Sequence, residues 1–202
     1  MKGIILSGGV GTRLYPSTIA VSKQLLPIYN KPMIYYSLSS LMLANIKDIL
    51  LITTKKDINS YKSLLGNGSH LGIKITYATQ NKPRGLVDAF LVGSKFIGKD
   101  DVCLILGDNI FYGDGFSDLL IQLKKTVQSK KNAVILTFPV KNPLDYGVAK
   151  IVKNKLVSLI EKPKKSNSND AIVGLYFYPN SVIQLAKKVK PSKRNELEIT
   201  DL

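Results

Sequence analysis

Apolar residues fall along this chain in short runs separated by stretches of helical spacing, and the alternation predicts strands that alternate with helices. The run Gly3-Ile4-Ile5-Leu6-Ser7 opens the series. Bounded by glycines, it suits a strand buried on both faces. From Pro32 to Ala44 the apolar positions take helical spacing behind a proline in the first turn. Asp48 to Thr54 then reads as a strand, and Asp57 to Leu65 as a helix with Asp57 as its N-cap. Ile73 to Ala78 is a further strand, and Gly85 to Phe96 is a helix entered through Pro83-Arg84-Gly85. Asp101 to Leu106 is a buried strand, Phe116 to Ser129 an amphipathic helix and Asn132 to Val140 a strand. Repeated β-α-β order implies an α/β fold, a mostly parallel sheet with helices on both faces.

After Pro143 the pattern shortens. Gly147 to Val152 and Leu156 to Glu161 flank Lys153-Asn154-Lys155, which predicts a short antiparallel hairpin insertion. Lys162 to Asp170 is a polar loop, Ala171 to Tyr178 a strand and Asn180 to Val189 a helix. Glu196 to Leu202 reads as the first turns of another helix.

Composition narrows the classes. A chain of 202 residues buries a full core and is expected to form one domain. One cysteine, Cys103, leaves no internal disulfide and fits a reducing cytoplasm; its apolar surroundings make it a buried structural thiol. No apolar run has the length of a membrane span, and Met1-Lys2-Gly3 leads straight into a strand, so neither a signal peptide nor a membrane partner is expected. The net charge of +15 could serve nucleic acid. The lysine pairs Lys124-Lys125, Lys130-Lys131, Lys164-Lys165 and Lys187-Lys188 lie in helices and turns, without an aromatic-interleaved stripe or a zinc pattern. They read as solvated surface, so no nucleic-acid partner is expected. The positive field favours anionic substrates instead.

The chemistry gathers after the first strand. Gly8-Gly9-Val10-Gly11-Thr12-Arg13 has three glycines in four residues, a backbone on which N–H groups can crowd around an anion. Arg13 adds a planar fork of donors and Lys23 a point charge. The loop is no P-loop, because Thr12-Arg13 stands where Lys-Ser/Thr is required. It is no dinucleotide fingerprint either, because Leu14 occupies the last glycine position. Three glycines alone would equally make a tight turn; Arg13, Pro16 and Lys23 at their offsets say more.

Gly8-Gly9-Val10-Gly11-Thr12-Arg13-Leu14-Tyr15-Pro16, followed by Lys23-Gln24-Leu25-Leu26-Pro27, resembles the signature of the sugar-1-phosphate nucleotidyltransferases. Ile28-Tyr29-Asn30-Lys31-Pro32-Met33-Ile34-Tyr35-Tyr36 narrows the resemblance to the glucose-1-phosphate thymidylyltransferases among them. The resemblance implies the Rossmann-like fold of nucleotide-diphospho-sugar transferases, with dTTP and glucose 1-phosphate as partners and Mg²⁺ as cofactor. It also implies a cytoplasmic place at the first step toward dTDP-rhamnose, and a homo-oligomer for the family's full-length chains.

It further implies roles. Gly8, Gly9, Gly11, Thr12 and Arg13 would hold the triphosphate, and Lys23 would neutralise phosphate in the transition state. Gln80 and Gly85 would read the base, and Asp108 would bind Mg²⁺. Asn109, Tyr146, Gly147, Glu161, Lys162, Val173 and Gly174 would hold the sugar phosphate, with Lys162 on its phosphate and Glu161 on a hydroxyl. Nucleotidyl transfer suits such a set. A phosphate oxygen attacks the α-phosphorus in line and pyrophosphate leaves, so alignment and charge neutralisation matter more than a general base.

Three departures stand out. The family often has Asp where Arg84 stands and Gln where Asp88 stands. It usually has two acids before Lys-Pro, where this chain has Ile160-Glu161. It continues past Glu196-Leu197-Glu198-Ile199-Thr200-Asp201 into a Trp-Leu-Asp-Thr-Gly motif, and this sequence has no Trp. The expectation is a domain incomplete at its C-terminus and short of a second metal ligand. Two other readings stay open: a pyrophosphorylase for a different nucleotide and sugar phosphate, and an inactive nucleotide-binding remnant.

Overall fold

The computed structural model describes residues 1–9, 11–80, 84–153 and 155–202. Four parallel strands form its centre: β1 (Lys2–Ser7), β4 (Asp48–Thr53), β5 (Lys74–Thr79) and β6 (Val102–Leu106). They lie in the order β5-β4-β1-β6, with Gly3 beside Ile49 and Cys103. The short pair β2 (Pro27–Ile28) and β3 (Lys31–Pro32) makes a separate antiparallel ribbon.

Beyond β6 the direction reverses. Strand β10 (Asp170–Tyr178) runs antiparallel to β6, and on its other edge it pairs with β7 (Val134–Pro139). Tyr176 faces Leu104 on one side and Ile135 on the other, so β10 is inserted between two strands that run the same way. The ladder slips between Ile172 and Tyr176, a bulge that spans Val173 and Gly174. The hairpin expected after Pro143 is present as β8 (Gly147–Val152) and β9 (Lys155–Glu161), joined to β10 through Val148 and Ala171. Asn154 of its turn lies outside the described residues.

Alternation along the strands divides the core. Ile4, Leu6, Leu50, Ile52, Val102 and Leu104 pack on one face, and Ile5, Ile49, Leu51, Cys103 and Ile105 on the other. Helices α1 (Ile34–Leu43), α2 (Ile58–Leu65) and α5 (Phe116–Lys130) supply Leu38, Tyr61 and Leu120 to the second face. Helices α3 (Asp88–Val92), α4 (Ser94–Ile97) and α6 (Val182–Ala186) supply Phe90, Ile97 and Val182 to the first. Both faces of the parallel strands are therefore covered, as their near-continuous apolar runs require. Among the described residues no helix is long and apolar enough to cross a membrane.

The details correct three expectations. The helix expected from Gly85 to Phe96 is two short helices that meet at Gly93, where an added Cβ would lie 2.8 Å from Ile4 Cδ1. Close packing of helix on strand wins there over helix continuity. Asp57 does not cap α2 with its side chain; it accepts from Thr54 Oγ1 at 2.6 Å instead. Glu196 to Leu202 does not start an α-helix. Leu197 forms backbone bonds to Arg84 O (2.7 Å) and from Val87 N (3.3 Å), and a single 3-10 turn follows at Ile199–Asp201. Burial of Leu197 and Ile199 in the core draws this segment down.

Candidate active site

Parallel strands end together, so the residues just beyond β1, β4, β5 and β6 gather at one sheet edge, the usual ligand side of an open α/β sheet. Gly8 and Gly9 leave β1, Gln80 leaves β5 and Asp108 leaves β6. A cavity of about 210 Å³ opens among them, lined by Gly8, Gly9, Gln80, Gly85, Leu86, Asp108 and Glu196. A second, of about 290 Å³, shares Gly8, Gly9 and Gln80 and continues past Thr18, Ser22 and Asp57.

Because β10 is antiparallel, its first half runs beyond Leu106 at this same edge. Gly174 therefore lies beside the residues that come after β6. Its N–H donates to Asn109 Oδ1 at 3.1 Å. A Cβ on Gly174 would approach Leu106 Cδ1 to 2.7 Å and Asn109 Cγ to 2.9 Å, so the contact requires glycine. A third cavity, of about 740 Å³, is lined here by Asp108, Asn109, Tyr146, Val173, Gly174 and apolar neighbours including Phe111 and Phe138. Asp108 lines both this cavity and the one at the glycine loop.

Asp108 is the electrostatic pivot. Its Oδ2 accepts from Lys23 Nζ in an ion pair, and its Oδ1 accepts from Asn109 Nδ2 at 3.1 Å. Lys23, Asp108, Asn109 and Gly174 thus form one chain of contacts across the edge. Lys23 is placed by a 3-10 turn, Lys23–Leu25, whose neighbours are anchored below. The fully buried Tyr61 hydroxyl meets Ser7 Oγ, Ser22 Oγ at 3.0 Å and Gln24 Oε1 at 3.4 Å. Burial pushes that phenol up from its ordinary value, against the hydrogen bonds from Ser22 and Ser7, so it stays neutral.

The hairpin carries Gly147 and Glu161, with Lys162 just past its end. Gly147 pairs with Glu161 across it, and Lys162 N donates to Tyr146 O at 2.9 Å. Glu161 is pushed above the ordinary carboxylate range by burial and then by Glu198, with Arg194 and Lys162 opposing. Arg194 stands 3.9 Å from Glu161 and also bonds Glu196 (2.6 Å) and Glu198 (3.2 Å).

Not every expected residue reaches the cavities. Thr12 and Arg13 form an exposed 3-10 turn after Gly11 and line none of the three; Val10, within the same loop, lies outside the described residues. Gly11, Gly147, Glu161 and Lys162 line none of the three either, and Lys162 is exposed with φ +41°. Conversely, Glu196 and Arg194 were missed. Glu196 enters the cavity at the glycine loop because Leu197 is tied to Arg84 and Val87. In the sequence Glu196 opens the Glu196-Leu197-Glu198-Ile199-Thr200-Asp201 stretch, expected to start a helix.

A metal would find a sparse shell. Among the described residues no three His, Cys, Asp or Glu side chains converge. The chemistry of Asp108, a half-open carboxylate between two cavities, fits Mg²⁺ of the kind held by one carboxylate together with ligand phosphate oxygens and water.

The nucleotidyl transferase family model matches residues 2–202. A glucose-1-phosphate thymidylyltransferase of Neisseria meningitidis is 55% identical over the whole chain, which spans 69% of that relative's length. One from Mycobacterium tuberculosis is 52% identical with the same coverage. Among solved structures, a glucose-1-phosphate thymidylyltransferase from Bacillus anthracis, crystallised with sucrose, superposes with a TM-score of 0.90 at 41% identity, covering 100% of this chain and 80% of that one. A UDP-glucose pyrophosphorylase bound to UDP-glucose superposes with a TM-score of 0.84 at 26% identity, covering 99% and 84%.

Proposed function

We propose that this chain, which belongs to the nucleotidyl transferase family, transfers a thymidylyl group from dTTP to glucose 1-phosphate, giving dTDP-glucose and pyrophosphate. The observation that carries this reading is the position of Asp108, shared by the cavity at the glycine loop and the larger cavity at Gly174. In-line transfer needs two ligands to meet end to end, and Asp108 with its partner Lys23 stands where they would meet.

The residues divide the work. Gly8 and Gly9 offer backbone N–H groups to the triphosphate, with Gly11, Thr12 and Arg13 on the open side of the loop. Gln80 and Gly85 hold the base. Asn109, Tyr146, Val173 and Gly174, which line the larger cavity, take the sugar-phosphate side, and Gly147, Glu161 and Lys162 would reach the sugar phosphate from the hairpin. Glu161 accepts from a sugar hydroxyl, and Lys162 neutralises the sugar's phosphate. Lys23 moves charge toward the transferring phosphate and leaves Asp108 as it does so. Asp108 would hold Mg²⁺, which when bound would supply further charge neutralisation.

Pyrophosphate release from dTTP and glucose 1-phosphate, compared with UTP in place of dTTP, tests the reading. Turnover with dTTP that exceeds turnover with UTP supports it. Faster turnover with UTP would move the assignment to the UDP-glucose pyrophosphorylases, whose fold is shared. Absence of turnover together with absence of binding of either nucleotide would refute both.

A further inference from the structure

The orientation of the Gln80 side-chain amide is set by a neighbour, Asp88. A side-chain amide has one face that accepts and one that donates, and which of them meets the base decides which bases fit. Gln80 is anchored at its backbone by a bond from its N–H to Thr53 O at 2.8 Å. Its Nε2 donates to Asp88 Oδ2 at 2.8 Å, and both residues are buried. Asp88 sits in the first turn of α3, and Arg84 Nη1 lies 3.8 Å from its other oxygen.

A carboxylate accepts and does not donate, so the group that Gln80 turns toward it is the NH₂. The carbonyl is then on the opposite side, toward the glycine loop: a Cβ on Gly8 would lie 3.5 Å from Gln80 Oε1. Gly8 and Gln80 line the same cavities. Among the described residues no donor meets Oε1. Turning the amide over would break a charge-assisted bond and press Oε1 against a buried carboxylate, so one orientation is locked.

We propose that Asp88 is a specificity-determining residue: by holding the Gln80 NH₂ it leaves an acceptor alone facing the ligand, which selects a pyrimidine that carries N3–H and rejects cytosine. Thymine and uracil present a donor at N3. Cytosine presents an acceptor there, and two facing acceptors leave each other unpaired. Arg84, Asp88 and Gln80 thus form one line of contacts. The guanidinium stands beside the carboxylate, the carboxylate holds the amide, and the amide reads the base.

This rests on the cavity at Gly8 and Gln80 being the nucleotide site, and the test separates the two. Affinities for dTTP and dCTP are measured by calorimetry on the wild-type chain, Asp88→Asn, Arg84→Asp with Asp88→Asn, and Gln80→Ala. Wild type should prefer dTTP by about tenfold or more. In Asp88→Asn the new amide turns its oxygen to Arg84 and its NH₂ to Gln80, so Gln80 can present its own NH₂ to the base. The preference should shrink to within about threefold or invert, chiefly by a gain in dCTP binding. Adding Arg84→Asp takes up the new NH₂ and should restore the dTTP preference, an effect that a merely structural role would not produce. A wild-type preference retained by Asp88→Asn would overturn the inference while leaving the functional reading intact. Retention by Gln80→Ala, or no binding to wild type, would overturn both. Circular dichroism checks that the variants fold. UTP against 3-deazauridine triphosphate on the wild-type chain needs no variant, and equal affinities there would also overturn the proposal.

Discussion

Removing one oxygen atom from Tyr61 should reach the active site from beneath. The ring is 0% exposed, so Tyr61→Phe keeps its packing and opens no cavity. The group lost is the hydroxyl that joins Ser7, Ser22 and Gln24. Ser22 keeps a partner, since its Oγ also donates to Gln24 Oε1 at 2.8 Å. Ser7, at 0% exposure, is left without a side-chain partner among the described residues. An orphaned buried hydroxyl costs about 1 to 3 kcal/mol. For a chain of this size that lowers Tm by about 2 to 12 °C, readable by calorimetry or circular dichroism. The functional consequence comes from position: Ser22 and Gln24 flank Lys23, the partner of Asp108. Loosening them should lower kcat for pyrophosphate release and leave KM for glucose 1-phosphate unchanged. In a Lys23→Ala background Tyr61→Phe should add little further loss, because both changes act through one group. A Tm within about 1 °C of wild type, or losses that multiply fully in the double variant, would refute the reasoning.

Glu161→Gln should stabilise the chain at neutral pH while weakening binding of the sugar phosphate. Glu161 is pushed above its ordinary value near 4.5, chiefly by burial, so the protonated form favours the fold and stability is lost as pH rises through that range. Thermal melts should show the gap between variant and wild type widening from about pH 4 to about pH 7; a gap that narrows with rising pH would reverse the argument. Gly85→Ala should cost about 2 to 5 kcal/mol in chemical denaturation, because Gly85 has φ +97° and its Cβ would overlap the backbone oxygen and nitrogen of Leu197. Full stability would mean that Leu197 does not hold that contact in solution. Lys23→Ala and Arg13→Ala should each raise the barrier to transfer by a few kcal/mol, about a hundredfold in rate or more, with a smaller effect on sugar-phosphate affinity. An unchanged rate for Arg13→Ala would fit its exposed place outside the cavities and remove it from the reaction.

The parts of this fold that were legible in the sequence are those written in short windows. Ile4-Ile5-Leu6 bounded by glycines declares a strand buried on both faces, and the residues just beyond such strands declare one ligand-binding edge. Strand direction is not written that way. The apolar run of β10 is equally compatible with either orientation, and its antiparallel insertion between β6 and β7 depends on the hairpin and the bulge at Gly174. That reversal brings Val173 and Gly174 past the end of β6 and onto Asn109, so their place in the site depends on a topology that no local pattern states. Glu196 was hidden for a related reason. Seven residues are too few for periodicity to separate helix from extended chain, and Leu197 is decided by the backbone groups that Arg84 and Val87 present to it. The pairing of Lys23 with Asp108 shows the same limit most sharply. Each residue stood out in its own motif, yet 85 positions separate them, and the motifs call for opposite partners: phosphate for the lysine, a cation for the carboxylate. Only the common edge of β1 and β6 brings the two together. Once there they satisfy each other, so an anionic ligand that reaches Lys23 has to draw it away from the Asp108 carboxylate, and neither motif read by itself carries that competition.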